Sequence, residues 1–141
     1  MPSLRQNIRA ALQAHLIAVP NAPTRVAYEG KPFEPQTGQP WIEPTLIPNP
    51  SRKASCGEDG LYLHEGTLQV GVVYPSGEGT AKAEAMADAI TAAFKAGTAL
   101  VADSVTVRTR YAERVGVAVE DASWIRVQVS IGWFLYATQN G

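Results

Sequence analysis

The segment Tyr74-Pro75-Ser76-Gly77-Glu78-Gly79-Thr80 has the residue types of a phosphate cradle. Glycines there lead from a strand pattern into a helix N-terminus, where backbone N–H groups and the helix dipole favour an anion. A dinucleotide fingerprint needs a further glycine or alanine three residues after Gly79, and Lys82 stands there instead. Glu78 sets negative charge against a phosphate, and no G-K-[ST] follows to make a P-loop. A tight turn with a helix cap accounts for the same residues. His15 and His64 fall in different elements, whereas a metal site needs three or four convergent ligands. His64-Glu65 would make an acid/base pair only with a third group to orient it, and the sequence nominates none. Cys56, the only cysteine, sits in a polar stretch without a neighbouring histidine and reads as a bystander thiol. Glu58-Asp59, between Gly57 and Gly60, is too short for a calcium loop. The chain also lacks a G-x-S-x-G elbow and an H-E-x-x-H motif. No catalytic residue, cofactor or metal is expected.

The remaining candidates suit contact better than reaction. Arg108 and Arg110 share a strand face with Thr106 and could meet carboxylates or phosphates. A solvated sheet face accounts for them more simply than a phosphate role; under a second subunit they become interface ion-pair donors. Glu113, Glu120 and Asp121 are possible counter-charges. Trp41, Trp124, Trp133, Phe33, Phe134 and Tyr136 crowd near loops and strand ends. In Trp133-Phe134-Leu135-Tyr136 alternate residues must face opposite ways, so the run cannot be wholly internal. An exposed apolar area of this kind marks an interface.

These side chains need a scaffold, and 141 residues suffice for one domain with one real core. The chain is 45% hydrophobic, which excludes wholesale disorder, and only 18% charged, which points to surface covered by partners. A net charge of −1 leaves no basic excess for gripping DNA. One cysteine excludes an internal disulfide framework. No apolar run reaches the roughly 20 residues of a membrane span, and the first residues lack signal-peptide order. A soluble protein made in a cytoplasm, with no membrane partner, is expected.

Leu4, Ile8, Ala11, Leu12, Leu16 and Val19 keep helical spacing, with Ser3 as N-cap and Pro20 as the stop. Residues 24–28 and 41–47 read as strands, the second at an edge or with a bulge because Pro44 cannot donate to a ladder. Residues 29–40 read as a loop, and residues 48–60 as a long polar loop. Residues 61–74 alternate strongly. Thr80 then opens a second helix over 81–96 with a stripe of Met86, Ala89, Ile90, Ala93 and Phe94. Residues 104–111 and 124–134 alternate again, with a loop or hairpin between them, and residues 137–141 read as a frayed tail. The order predicts an α+β fold: a mostly antiparallel sheet of four to five strands with two helices packed on one face.

The ordered set resembles a known family. Ile8-Arg9-Ala10-Ala11-Leu12 lies in a helix that ends in proline, and Trp41-Ile42-Glu43-Pro44-Thr45-Leu46-Ile47-Pro48 follows. Then come Gly66-Thr67-Leu68-Gln69-Val70-Gly71-Val72-Val73-Tyr74-Pro75, a Gly-x-Gly-Thr turn and a helix with Ala87-Asp88-Ala89-Ile90. The set closes on Trp124-Ile125-Arg126-Val127-Gln128-Val129-Ser130-Ile131-Gly132-Trp133. This order is similar to the tail terminators of long-tailed bacteriophages, the lambda-type terminator included, and covers nearly the whole chain as one terminator-like domain.

The resemblance implies a structural virion protein, with no catalytic motif to carry over. It implies a homo-oligomer, a hexameric ring that caps the tail tube, stops polymerisation of the tube protein and offers its other face to a head-side connector protein. A domain of this length has a radius of gyration of roughly 14 Å, so six in a ring leave a hole that passes DNA without specific binding. The implied location is the head–tail junction of the virion, and the host cytoplasm during assembly. Arg52, Lys53, Glu58, Asp59, Arg108, Arg110, Trp133 and Phe134 are the candidate oligomer and partner contacts. A loop that orders on docking predicts that deleting residues 51–59 leaves a folded monomer that no longer caps tubes. The alternatives are a tail tube or minor tail protein, or a small ligand-binding domain or enzyme that uses the turn from Gly77 to Thr80.

Overall fold

The computed structural model describes residues 3–54, 60–77, 79–102, 105–121 and 123–138. Helix α1 spans Leu4–Ile17. Ser3 caps it, its hydroxyl accepting from the Gln6 N–H while the Gln6 side chain takes the Ser3 N–H. This reciprocal box satisfies two otherwise orphaned donors. The stripe read from the sequence is the buried face: Leu4, Ile8, Ala11, Leu12 and Leu16, continued by Val19.

Strand β1 is Trp41–Pro48, β2 is Arg52–Lys53 and β3 is Tyr62–Pro75. Helix α2 spans Ala81–Ala93 and is followed by β4 at Ala99–Ala102, β5 at Val105–Asp121 and β6 at Trp124–Ala137. Thr80 takes the N-cap position of α2 without a side-chain cap bond. Phe94 ends the helix earlier than the alanine-rich sequence suggests, and Thr98 and Thr109 take up the Lys95 carbonyl beyond it.

The sheet runs β1-β3-β6-β5-β4, and β2 pairs with β3 on the β1 side. Every paired strand is antiparallel. The α+β expectation therefore holds, but with six strands in place of four to five. Two of the six were not expected: β4 at Ala99–Ala102, and β2 from the polar stretch 48–60, where Arg52 and Lys53 fold back onto Leu63 and Tyr62 and the Ala54 N–H reaches the Leu61 carbonyl. Residues 24–28 contribute only a parallel bridge between Val26 and Ile42.

Of the loop or hairpin expected after Glu113, the structure shows the hairpin. β5 continues through Asp121 and pairs with β6 along both halves. Two irregularities interrupt the ladder, between Thr109 and Tyr111 and between Val115 and Val119. Extra residues at such bulges bend and twist the strand and leave it locally unpaired.

One apolar cluster joins α1 and α2 to alternate residues of the strands: Leu68, Val70 and Val72 on β3, Val105 and Val107 on β5, and Ile125 through Leu135 on β6. The opposite face of the sheet carries Glu43, Gln69, Arg126, Gln128, Ser130 and Phe134.

Candidate assembly interface

Register decides what meets on the outer face. Glu65 on β3, Phe134 on β6 and Arg108 on β5 stand side by side as Cα partners. Arg110 is the extra residue between Thr109 and Tyr111, and the bulge turns it back over β6. Its guanidinium lies 4.6 Å from the centroid of the Phe134 ring and 3.0 Å from Glu65. A cation above an aromatic face is attracted by the ring quadrupole. Glu65 also takes Arg52, at 3.5 Å. Phe134 packs edge-on against Tyr136, with centroids 6.2 Å apart. Tyr111 and Ile47 flank this group and are 41% and 46% exposed.

The other end of the same face is closed. Trp41 and Trp124 meet edge-on at 4.5 Å, and Phe33 from the 29–40 segment covers Trp41 at 5.4 Å. The Trp41 indole N–H donates to Glu43, and Arg126 pairs with the second oxygen of that carboxylate. Between the two ends lie polar side chains such as Gln69 and Gln128. The open apolar and charged end is thus the part of this face suited to a partner.

The structure brings together Arg52, Arg110 and Phe134 from the candidates and sets Arg108 beside them. Lys53 is exposed on β2. Glu58 and Asp59, with Cys56 and Glu78, lie outside the described residues. Trp133 does not belong to this surface: alternation along β6 turns it inward, where it is 2% exposed in the core. Its neighbours Phe134 and Tyr136 face out, so the aromatic run divides as pleating requires. Within the chain, Glu65 is the counter-charge of Arg110.

The candidates for chemistry come apart. His64 is buried while Glu65 faces outward, so the two cannot share a proton at one site. His15 packs edge-on against Phe94, and its Nε2 lies 2.8 Å from the Ala93 carbonyl, a structural bond between the helices. Gly77 and Gly79 both adopt left-handed conformations, with φ of 101° and 85°, as a tight turn demands. A cavity of about 160 Å³ beside this turn, bordered by Tyr74 and Lys82, is smaller than the roughly 300 Å³ of ordinary small-ligand sites. Burial pushes the Tyr74 hydroxyl pKa up, with Lys82 opposing it. Among the described residues there is no cluster of three or more metal-ligating side chains.

Comparison with known families gives the assignment. The family model described as phage tail terminator protein matches residues 7–133. The chain belongs to the phage tail terminator family. That family is structural and non-enzymatic, and this member is a structural protein of the virion tail. No curated protein matches the sequence. One solved chain, which carries no functional name, is 26% identical, with a TM-score of 0.68, over 90% of this chain and 92% of that one. A chain from the virion of a native gene transfer agent particle is 20% identical, with a TM-score of 0.60, over 97% of this chain and 100% of that one. At that identity the second likeness concerns the fold.

Proposed function

We propose that this terminator-family chain closes into a six-membered ring on the end of the tail tube of a long-tailed phage. The ring stops addition of tube protein and presents its far side to a head-side connector, and DNA passes through its lumen without specific binding. The observation that carries this reading is the family match across residues 7–133. The chain acts as one domain, with both helices on one face of the sheet and the candidate contacts on the other. Support for that arrangement is the single apolar cluster that α1 and α2 share with alternate strand residues. The exposed end around Glu65, Arg110, Phe134 and Tyr136 supplies a surface that a ring neighbour or the tube would cover. Subunits fold in the host cytoplasm and join the virion at the head–tail junction.

The test is electron microscopy of tube protein polymerised with and without the purified chain. The expected result is tubes of limited length, each with a ring at one end. Long tubes built from the chain itself would make it a tube protein, and tube length indifferent to the chain would remove the capping role.

A further inference from the structure

The two sides of the sheet treat their backbone edges in opposite ways. On β1 the outward positions are Ile42, Pro44, Leu46 and Pro48. The Ile42 N–H donates to the Arg25 carbonyl at 3.1 Å, and the Leu46 N–H to the Glu29 carboxylate at 2.7 Å. Pro44 and Pro48 have no N–H to offer. That edge is shut, except where β2 continues it. On the far side β4 covers β5 only from Val105 to Arg108. Among the described residues, 111–115 and 119–121 pair only with β6, and 116–118 form the irregularity between them. This stretch exposes Val115 by 44%, Val117 by 80% and Val119 by 55%. An uncovered, β-branched edge can take another strand on either side of its bulge.

The charges choose the occupant. Arg114 lies 3.4 and 3.5 Å from Glu84 and Asp88 of α2, and even with it counted Glu113, Glu120 and Asp121 leave the free edge acidic. Two β5 edges paired antiparallel about Val117 would set Glu113 against Asp121, because they stand four residues either side of it. Like charges directly opposite destabilise such a pair. The opposite side of the sheet carries the complement. Arg52 and Lys53 on β2 are exposed, with Ile47 and Leu61 beside them, 46% and 42% exposed. Arg52 touches Glu65 only at 3.5 Å with its side chain 69% exposed, and Arg110 holds Glu65 more closely. Arg52 can therefore turn to a partner without stranding Glu65.

We infer that the acidic β5 edge of one copy docks on the basic β2 edge of the next. The inference rests on the ring reading and gives its subunit contact. A patch on one side of the sheet that meets a different patch on the other side is a head-to-tail contact, the kind that closes rings.

Charge reversal tests it. R52E/K53E makes both edges acidic, and E113K/E120K/D121K makes both basic. Each variant alone should self-associate at least roughly tenfold more weakly than the natural chain by sedimentation velocity. An equimolar mixture should recover association, alternating around an even-membered ring. Circular dichroism checks that both variants fold. For the natural chain, raising salt from about 0.1 to 1 M should weaken association through screening. Wild-type association in either variant, no recovery on mixing, or insensitivity to salt overturns the edge pairing while the ring reading stands. A natural chain that forms no ring at any concentration, alone or on tubes, overturns the ring reading itself and the edge pairing with it.

Discussion

Trp133 on β6 and Gly66 on β3 are cross-strand partners, and the indole fills the space where a side chain at Gly66 would stand. A Cβ at Gly66 would lie 2.7 Å from Trp133 Cζ2, 2.4 Å from the Ile47 carbonyl oxygen and 2.9 Å from the Pro48 Cα. Two of these three neighbours are backbone, held by the β1–β3 ladder, so little can yield. Gly66→Ala should therefore cost about 1–3 kcal/mol, the range for overpacking a close-fitted core. A shifted urea midpoint, with the Trp133 emission moved toward that of exposed indole, checks this.

Gly132 offers a contrast on the outer face. A Cβ there meets only side-chain atoms, Tyr111 Cε2 at 2.2 Å, Cδ2 at 2.6 Å and Cζ at 2.8 Å. The Tyr111 ring is already 41% exposed and can swing into solvent. The lost contact is offset by the better strand propensity of alanine over glycine. Gly132→Ala should thus shift the urea midpoint less than Gly66→Ala, by under about 1 kcal/mol. A larger loss than at Gly66 would mean that Tyr111 is pinned by more than Gly132.

Much of this arrangement was legible in the sequence, and what was not has physical causes. The alternation on β6 separates Trp133 and Leu135 from Phe134 and Tyr136 by period alone. Pro44 marks β1 as an edge strand for want of an N–H. The second half of β5 was harder to place because Gly116 takes a left-handed conformation, as a turn would, and the pairing with β6 is interrupted between Val115 and Val119. The meeting of Glu65 with Arg52 and Arg110 was also out of reach. It needs the β3–β6 register and the bulge at Arg110 together, and neither is written in local spacing. β2 is only two residues long and lies in a polar stretch that carries no strand pattern.

The Glu65, Arg110 and Phe134 group is exposed enough that its contribution to the monomer should be small. Arg110 and Glu65 keep 43% and 21% of their side-chain surface, and such pairs are worth about 0.2–1 kcal/mol. Glu65→Gln should leave the melting temperature nearly unchanged. A double-mutant cycle between Arg110→Ala and Phe134→Leu should yield about 0.5–1 kcal/mol of coupling, the size of an exposed cation–π contact. Denaturant titration of the four proteins measures it. Coupling indistinguishable from zero would show that Arg110 rests on Phe134 without attraction.

Glu29 gives the monomer an acid-sensitive latch. Partial burial works against its charge, but the Leu46 N–H and the Arg9 guanidinium together outweigh that and hold its pKa below the ordinary 4.5. The Arg9 contact is 2.8 Å and the Leu46 contact 2.7 Å. A carboxyl depressed in the folded chain adds stability in full above its unfolded pKa and loses it as pH falls through the lower folded value. Thermal melts between pH 7 and 3 should therefore show an acid loss that begins near pH 4.5 and is shallower in Glu29→Gln. The amide still accepts from Leu46 but carries no charge, so at neutral pH the variant should be less stable by roughly 1 kcal/mol, scaled down because both side chains of the ion pair are about one-third exposed. Arg9→Met should give the same flattening from the other side of the pair. If it did not, the depression would belong to the Leu46 N–H alone, and the latch would act on the β1 edge without help from α1.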